Sequence, residues 1–249
     1  MSSRDLNKNV LNKENILKKE YILKEELNNL KIKAKNEKWF INYSELDIKK
    51  PYLAKGSNSI IYNCLWRETD IVVKTINKYD FEIYKDLLRE IELFSTIKHP
   101  NTVQFLGVSV DYHKNLVYLL MEKIEGETLK HKLIFNKLKN KYKIIKQLIK
   151  TINFLHKCNP PIIFRDLKPE NIMIDNHGNL KLIDFGLARY LPNNDNYKLT
   201  GNTGNDRYMS PEGFFNKNYN LKADIYSLGL IIYYILTNNQ PFIGYSREN

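Results

Sequence analysis

The rhythm of apolar and polar positions changes several times along the chain. Over residues 1–38, Leu11, Ile16, Leu23, Leu27 and Leu30 form a sparse stripe at helical spacing within sequence rich in Lys, Asn and Glu. This reads as a partly helical extension rather than a domain, and a short coiled coil or a helix lying on its neighbour explains the stripe equally well. From Trp39 the texture becomes β-like: short runs at 60–66, 71–76, 103–110 and 116–121 surround one helical stretch, 81–97, with Asp80 placed as its N-cap. A small sheet with one helix is expected there. After Gly126 helices dominate, interrupted by a strand-and-loop region at 162–190. Ile144, Ile145, Leu148, Ile149, Ile152 and Leu155 recur at helical spacing, while 221–236 is apolar almost all round and is expected to be buried at the centre of its lobe. No repeat of the 20–50 residues typical of solenoids is visible.

Composition agrees with a globular chain. At 249 residues, 43% apolar and 27% charged, it can bury a core in one large domain or two lobes. No run approaches the roughly 20 apolar residues that span a bilayer, and the N-terminus is polar, so neither a membrane span nor a signal peptide is expected. Cys64 and Cys158 lack C-x-x-C spacing and are too few for a disulfide framework. An intracellular, reducing setting is expected from that usage, and a cytoplasmic location with it.

The charge of +11 and pI of 9.3 matter less than where the excess lies. Between Thr128 and Arg165 there is no acidic residue, while Lys130, Lys132, Lys137, Lys139, Lys141, Lys143, Lys146, Lys150 and Lys157 all fall there. These lysines read mostly as the wet side of an amphipathic helix; the competing reading is a basic docking patch for acidic partners. The stretch lacks the aromatic interleaving of a single-strand stacking platform, so nothing beyond charge points to nucleic acid.

The most informative local signal is Arg165-Asp166-Leu167-Lys168-Pro169-Glu170-Asn171, followed thirteen residues after Asn171 by Asp184-Phe185-Gly186. Phosphoryl transfer needs a carboxylate to receive or orient a hydroxyl proton, a cation near the transferring group, and oxygen ligands for a divalent ion. Asp166, Lys168, and the pair Asn171 with Asp184 have those chemistries in turn. Asp-Phe-Gly alone would be a common turn after the strand Leu180-Lys181-Leu182-Ile183; the two motifs at this separation are far more specific.

Together these residues resemble the catalytic and magnesium loops of the eukaryotic protein kinase family. The resemblance covers about residues 39–245. It implies an α+β bilobal fold: a small antiparallel-sheet N-lobe with one main helix at about 39–121, a hinge at about 122–126, and a mostly helical C-lobe at about 127–249. It also implies that Lys74, ending the strand Ile71-Val72-Val73, grips phosphates of ATP and pairs with Glu90. Ala54, Gly56 and Ser59 match the glycine positions of the phosphate-covering loop, with Ile61 and Val72 against adenine, Met121 as gatekeeper, Glu122 and Ile124 in the hinge, and Met173 beneath the base. Asn171 and Asp184 would hold Mg²⁺ or Mn²⁺. Ser210-Pro211-Glu212 closes the activation segment, Asp224 braces the catalytic-loop backbone, and Thr200 and Thr203 are candidate phosphorylation sites. Trp39-Phe40-Ile41, the His99 to Gly107 run, and Thr200 to Gly204 resemble the tyrosine-kinase-like group of serine/threonine kinases, and Lys168 points to serine or threonine acceptors on a protein substrate.

Several positions depart from the family pattern. Only the central glycine remains in the phosphate loop, Phe164 stands where the catalytic-loop histidine is usual, and Asn205 replaces a threonine that bridges Asp166 and Lys168. The chain stops soon after Pro241-Phe242, where the family adds further helices; a partner or the N-terminal extension would then cover the short C-lobe. The leading reading is an active serine/threonine kinase. A kinase-fold module that binds nucleotide or partners without turnover is the principal alternative, and a basic adaptor is the other.

Overall fold

A computed structural model describes residues 21–22, 25–56, 59–76, 81–114, 116–191, 206–214 and 220–243. The chain divides into two compact units, Met1–Ser95 with Phe105–Lys123, and Thr96–Gln104 with Ile124–Asn249.

The first unit opens with helix α1 (25–36), followed by a 3-10 turn at Tyr43–Glu45. Its sheet contains β1 (Leu46–Ile48), β2 (Ala54–Lys55), β3 (Ser59–Trp66), β4 (Thr69–Ile76), β5 (Phe105–Asp111) and β6 (Leu116–Glu122), with helix α2 (Phe81–Thr96) between β4 and β5 in sequence. The strands run antiparallel in the order β1-β3-β4-β6-β5, with β2 also on β3. Alternation along β4 decides which side chains are buried in the core: Ile71 and Val73 pack with Cys64, Tyr118 and Leu120, while Val72 and Lys74 point to the other face. Burial pushes the Cys64 thiol up to about 11, which leaves it an inert core side chain.

The run expected at 103–110 starts as a strand only at Phe105, since Val103 N–H donates instead to Leu182 O at 2.8 Å, and within the strand the register slips between Phe105 and Gly107. At the slip, the 39–41 segment joins the strand. Phe40 forms a parallel bridge to Val108, with Val108 N–H donating to Trp39 O at 3.0 Å and Ile41 N–H to Val108 O at 2.9 Å. Gly107 has φ +156°, and a Cβ there would lie 2.3 Å from Trp39 O, so only glycine permits this close approach.

The second unit contains β7 (Gly126–Thr128), α3 (Leu129–Ile134), α4 (Lys141–His156), β8 (Ile162–Ile163), β9 (Ile172–Asp175), β10 (Leu180–Leu182), β11 (Arg189–Tyr190), α5 (Pro211–Phe214) and α6 (Lys222–Thr237). Strands β10-β9-β7 form one small sheet and β11-β8 another. Helix α4 buries Ile144, Leu148, Ile152 and Leu155 and packs on α6, which buries Leu228, Ile231 and Ile235.

Three expectations are corrected. Helix α6 is not covered all round by the described residues: Ile225, Tyr233 and Leu236 are 45%, 47% and 47% exposed. Its residues are apolar on every side, but only one side meets α4 and the loops. Ile149, placed on the buried stripe of α4 by spacing, lies on the exposed flank next to Lys150. Lys130 and Lys132 do not belong to the wet side of α4; they lie on the separate short helix α3, half-buried, paired with Glu170 at 2.9 Å and Glu127 at 3.2 Å.

Candidate active site

In the first unit, strand register gathers the residues expected to meet nucleotide on one sheet face. Ala54 pairs with Ile61, Ile61 with Lys74, and Val72 with Met121; because alternate residues share a face, Val72 and Lys74 lie on the same side. Gly56 follows β2 directly, its N–H donating to Ser59 O at 2.8 Å across the hairpin. Glu122 pairs with Ile71 at the end of β6. Lys74 is reached from α2 by Glu90, with Nζ to Oε1 at 2.7 Å and to Oε2 at 2.9 Å. Both are nearly buried, at 9% and 5% exposure, so the pair is enclosed rather than a surface contact.

In the second unit, a short connection between β8 and β9 carries the other charged groups. Lys168 Nζ donates to Asp166 Oδ2 at 2.6 Å, and the Asn171 amide donates to the same Oδ2 at 2.8 Å and to Asp166 O at 2.9 Å. The Asn171 N–H donates to Lys168 O at 3.0 Å, and Asn171 O accepts from Ile183 N–H at 3.0 Å, tying this loop to the segment leading into Asp184. Asp184 is exposed, its Oδ1 accepting from Gly186 N–H at 3.2 Å. Met173 lies on β9 opposite Lys181, and Ile124 precedes β7; both belong to this unit, whereas the other residues expected to contact adenine belong to the first.

What holds Asp166 is a buried brace. Asp224, 1% exposed at the start of α6, accepts from Phe164 N–H at 2.8 Å and Arg165 N–H at 2.9 Å. Arg165 has φ +73°, a left-handed conformation rare for a side-chain-bearing residue, and the Asp224 bond fixes it there. Phe164 meets Phe185 edge-on at 5.3 Å and 89°, so an aromatic contact stands where the family has a histidine. His156 Nε2 lies 2.8 Å from Asp224 Oδ2, a contact that sequence reasoning missed. A histidine ending an amphipathic helix reads as a terminal cation, and nothing in its spacing points 68 residues ahead. Tyr208, deeply buried near the end of the activation segment, has its phenol pushed above its ordinary range by burial and accepts Ser227 Oγ on its backbone oxygen. Thr200, Thr203 and Asn205 lie outside the described residues.

Comparison with known proteins places these motifs in a family. Residues 48–249 match the model of the protein kinase domain. The chain belongs to the protein kinase family. The kinase domain is 31% identical over 216 residues to a putative mitogen-activated protein kinase kinase kinase 7-like protein of Drosophila melanogaster, covering 84% of this chain and 53% of that one. It is 34% identical over 220 residues to the serine/threonine-protein kinase VIK of Arabidopsis thaliana, covering 83% of this chain and 50% of that one. A putative serine/threonine-protein kinase/receptor of Acanthamoeba polyphaga mimivirus is 33% identical over 210 residues, 82% of this chain but 13% of the relative. The kinase domain therefore spans about half or less of these relatives' lengths.

A protein kinase domain implies ATP, a divalent metal and a protein substrate. The donor set fits that metal. With the Asn171 amide nitrogen committed to Asp166, its oxygen is the atom left for a cation, and Asp184 adds a carboxylate. Among the described residues no cluster of three or more His, Cys, Asp or Glu forms a resident metal centre. Two oxygen donors suit a hard ion that keeps waters and phosphate ligands. No described helix is long and apolar enough to cross a membrane.

Proposed function

We propose that this kinase domain transfers the γ-phosphoryl group of ATP, with Mg²⁺ or Mn²⁺, to a serine or threonine hydroxyl of a protein. The observation that carries this reading is the Asp166–Lys168–Asn171 cluster, in which Lys168 and Asn171 donate at 2.6 and 2.8 Å to one oxygen of the Asp166 carboxylate in a braced loop. In this reading Asp166 receives the acceptor hydroxyl and takes up its proton as the oxygen bonds to the γ-phosphorus and the bond from that phosphorus to the β,γ-bridging oxygen breaks, releasing ADP. Lys168 offsets charge on the transferring group, and Lys74, held by Glu90, contacts the other phosphates. Asn171 and Asp184 would hold the cation, which would neutralise charge on the phosphate oxygens. Ala54, Gly56 and Ser59 cover the phosphates, while Ile61, Val72, Met121, Glu122, Ile124 and Met173 receive the base. The likeness to the tyrosine-kinase-like group supports the serine/threonine assignment. The kinase domain extends over 39–249 with 1–38 as its extension, a boundary supported by the pairing of Trp39–Ile41 with β5.

The test is single-turnover transfer from labelled Mg-ATP to a generic protein substrate and to the chain itself, with Asp166→Asn beside wild type. Removing a general base of this kind costs about 10²–10⁴-fold in rate. The loss should come without a change in melting temperature. Nucleotide binding without transfer in the wild type would support the binding module instead. In the same assay Asp184→Asn should weaken the dependence of nucleotide affinity on metal; affinity independent of metal in both proteins would remove Asp184 from its role.

A further inference from the structure

The outward flank of α4 is charged with one sign. Lys143, Lys146, Lys150 and Lys157 recur at helical spacing and are exposed, and they form no ion pair with any described residue. The nearby lysines that do find carboxylates are Lys130, Lys132 and Lys137, on and just after α3. Within this lysine row Tyr142 is 81% exposed, and at the end of α3 Ile134 and Phe135 are 57% and 58% exposed. Lys143 Nζ reaches only a backbone oxygen, that of His177, at 3.5 Å. Apolar anchors and cations without a carboxylate partner among the described residues thus share the junction of α3 and α4.

Two further features set this flank apart from ordinary solvated helix. The first turn of α4 holds Lys141 and Lys143 and no acid, although the positive end of a helix disfavours cations there. Its N-cap, Asn140, is left-handed at φ 52° and makes no side-chain cap bond. The helix start therefore breaks local rules for stability, as functional surfaces do. The cations are also all lysine. Arginine's planar fork suits defined, bidentate carboxylate or phosphate partners, whereas lysine is a point charge on a long stem that suits a diffuse field of anions.

We propose that the α3–α4 junction and the outer face of α4 form a docking surface for an anionic lipid membrane, with Phe135 and Tyr142 entering the headgroup layer and the α4 lysines held by the surface potential. An apolar anchor and a polybasic row are the two signals that stable peripheral binding needs. This goes beyond phosphoryl transfer and does not depend on it.

The full chain is tested by co-sedimentation with phosphatidylcholine vesicles, neutral or containing about one quarter phosphatidylserine, in about 0.1 M salt. At least about tenfold preference for the anionic vesicles is expected, declining as salt rises. Lys143→Glu/Lys146→Glu/Lys150→Glu should abolish the preference, the corresponding Lys→Gln variant should lower it by at least about tenfold, and Phe135→Ser/Tyr142→Ser should lower it about threefold. The Gln variant keeps the result interpretable if charge reversal unfolds the helix. Transfer to a soluble substrate without vesicles should be unchanged in all three, separating this surface from the catalytic assignment. Equal binding to neutral vesicles, or anionic binding indifferent to the lysine variants, would overturn the proposal. So would binding to polyglutamate or nucleic acid without vesicle binding.

Discussion

The two units hold their charged groups by opposite means. In the first, Lys74 and Glu90 are carried by a regular strand and a regular helix, and their positions follow from sheet register and helical phase. In the second, Asp166, Lys168 and Asn171 lie on a loop whose residues include a left-handed Arg165, and their positions follow from side chains elsewhere that satisfy its backbone. A regular element carries its own hydrogen bonds, so what it presents can change without loss of its shape. A loop near a core has amide groups that need outside partners, so its shape depends on Asp224 and Asn171. The first arrangement is vulnerable through its charge pair, the second through its brace.

The largest effect should come from Lys74→Met. It removes the proposed phosphate contact, lowering transfer by at least about 10²-fold. Because Glu90 loses the Lys74 ammonium in a buried site, stability should also fall, by up to about 3–5 kcal/mol. Lys74→Met/Glu90→Gln should recover much of the stability and none of the activity, as read by thermal melting and single-turnover transfer. Additive losses in the double variant would show that the pair is not coupled.

Next comes the brace. Asp224→Ala leaves the amides of Phe164 and Arg165 without their acceptor in a buried site, a cost of about 3 kcal/mol for the two groups together. Activity should fall along with melting temperature, while Lys74→Met/Glu90→Gln separates the two. Hydrogen exchange at the Phe164 and Arg165 amides provides the direct check: exchange as slow in Asp224→Ala as in wild type would mean that something other than this carboxylate holds the loop.

The smallest effect tests a connection inside the second unit. Burial lowers the pKa of His99 from its ordinary 6.5, and its Nδ1 accepts Asn101 N–H at 3.2 Å, a bond that the protonated ring cannot make. The unfolded chain takes up the proton at 6.5 and the native state only below that. Stability from this group is therefore present above 6.5 and lost as pH falls through the window below it. Melting temperature should decline on going from about pH 7.5 to about pH 5.5, and less so in His99→Gln. Equal declines in both proteins would assign the effect to other groups.

Much was legible without coordinates because it is local. Asp166, Lys168 and Asn171, which meet at one carboxylate, come from one short stretch of chain, and the alternation that turns Lys74 away from Ile71 and Val73 is the two-residue period of a strand. Periodicity likewise placed α2, α4 and α6, since an amphipathic or wholly apolar helix announces itself within its own residues. The tertiary structure alone decided which apolar flank of α6 is covered, that Ile149 faces outward, and that Lys130 and Lys132 leave the lysine row to pair with Glu170 and Glu127. It also decided the contact of His156 with Asp224 and the need for glycine at 107, where Trp39 O arrives from a distant segment. The division has a physical cause: a residue's secondary-structure face depends on neighbours three or four positions away, whereas its partner across the core depends on how whole elements pack, and no local pattern encodes that.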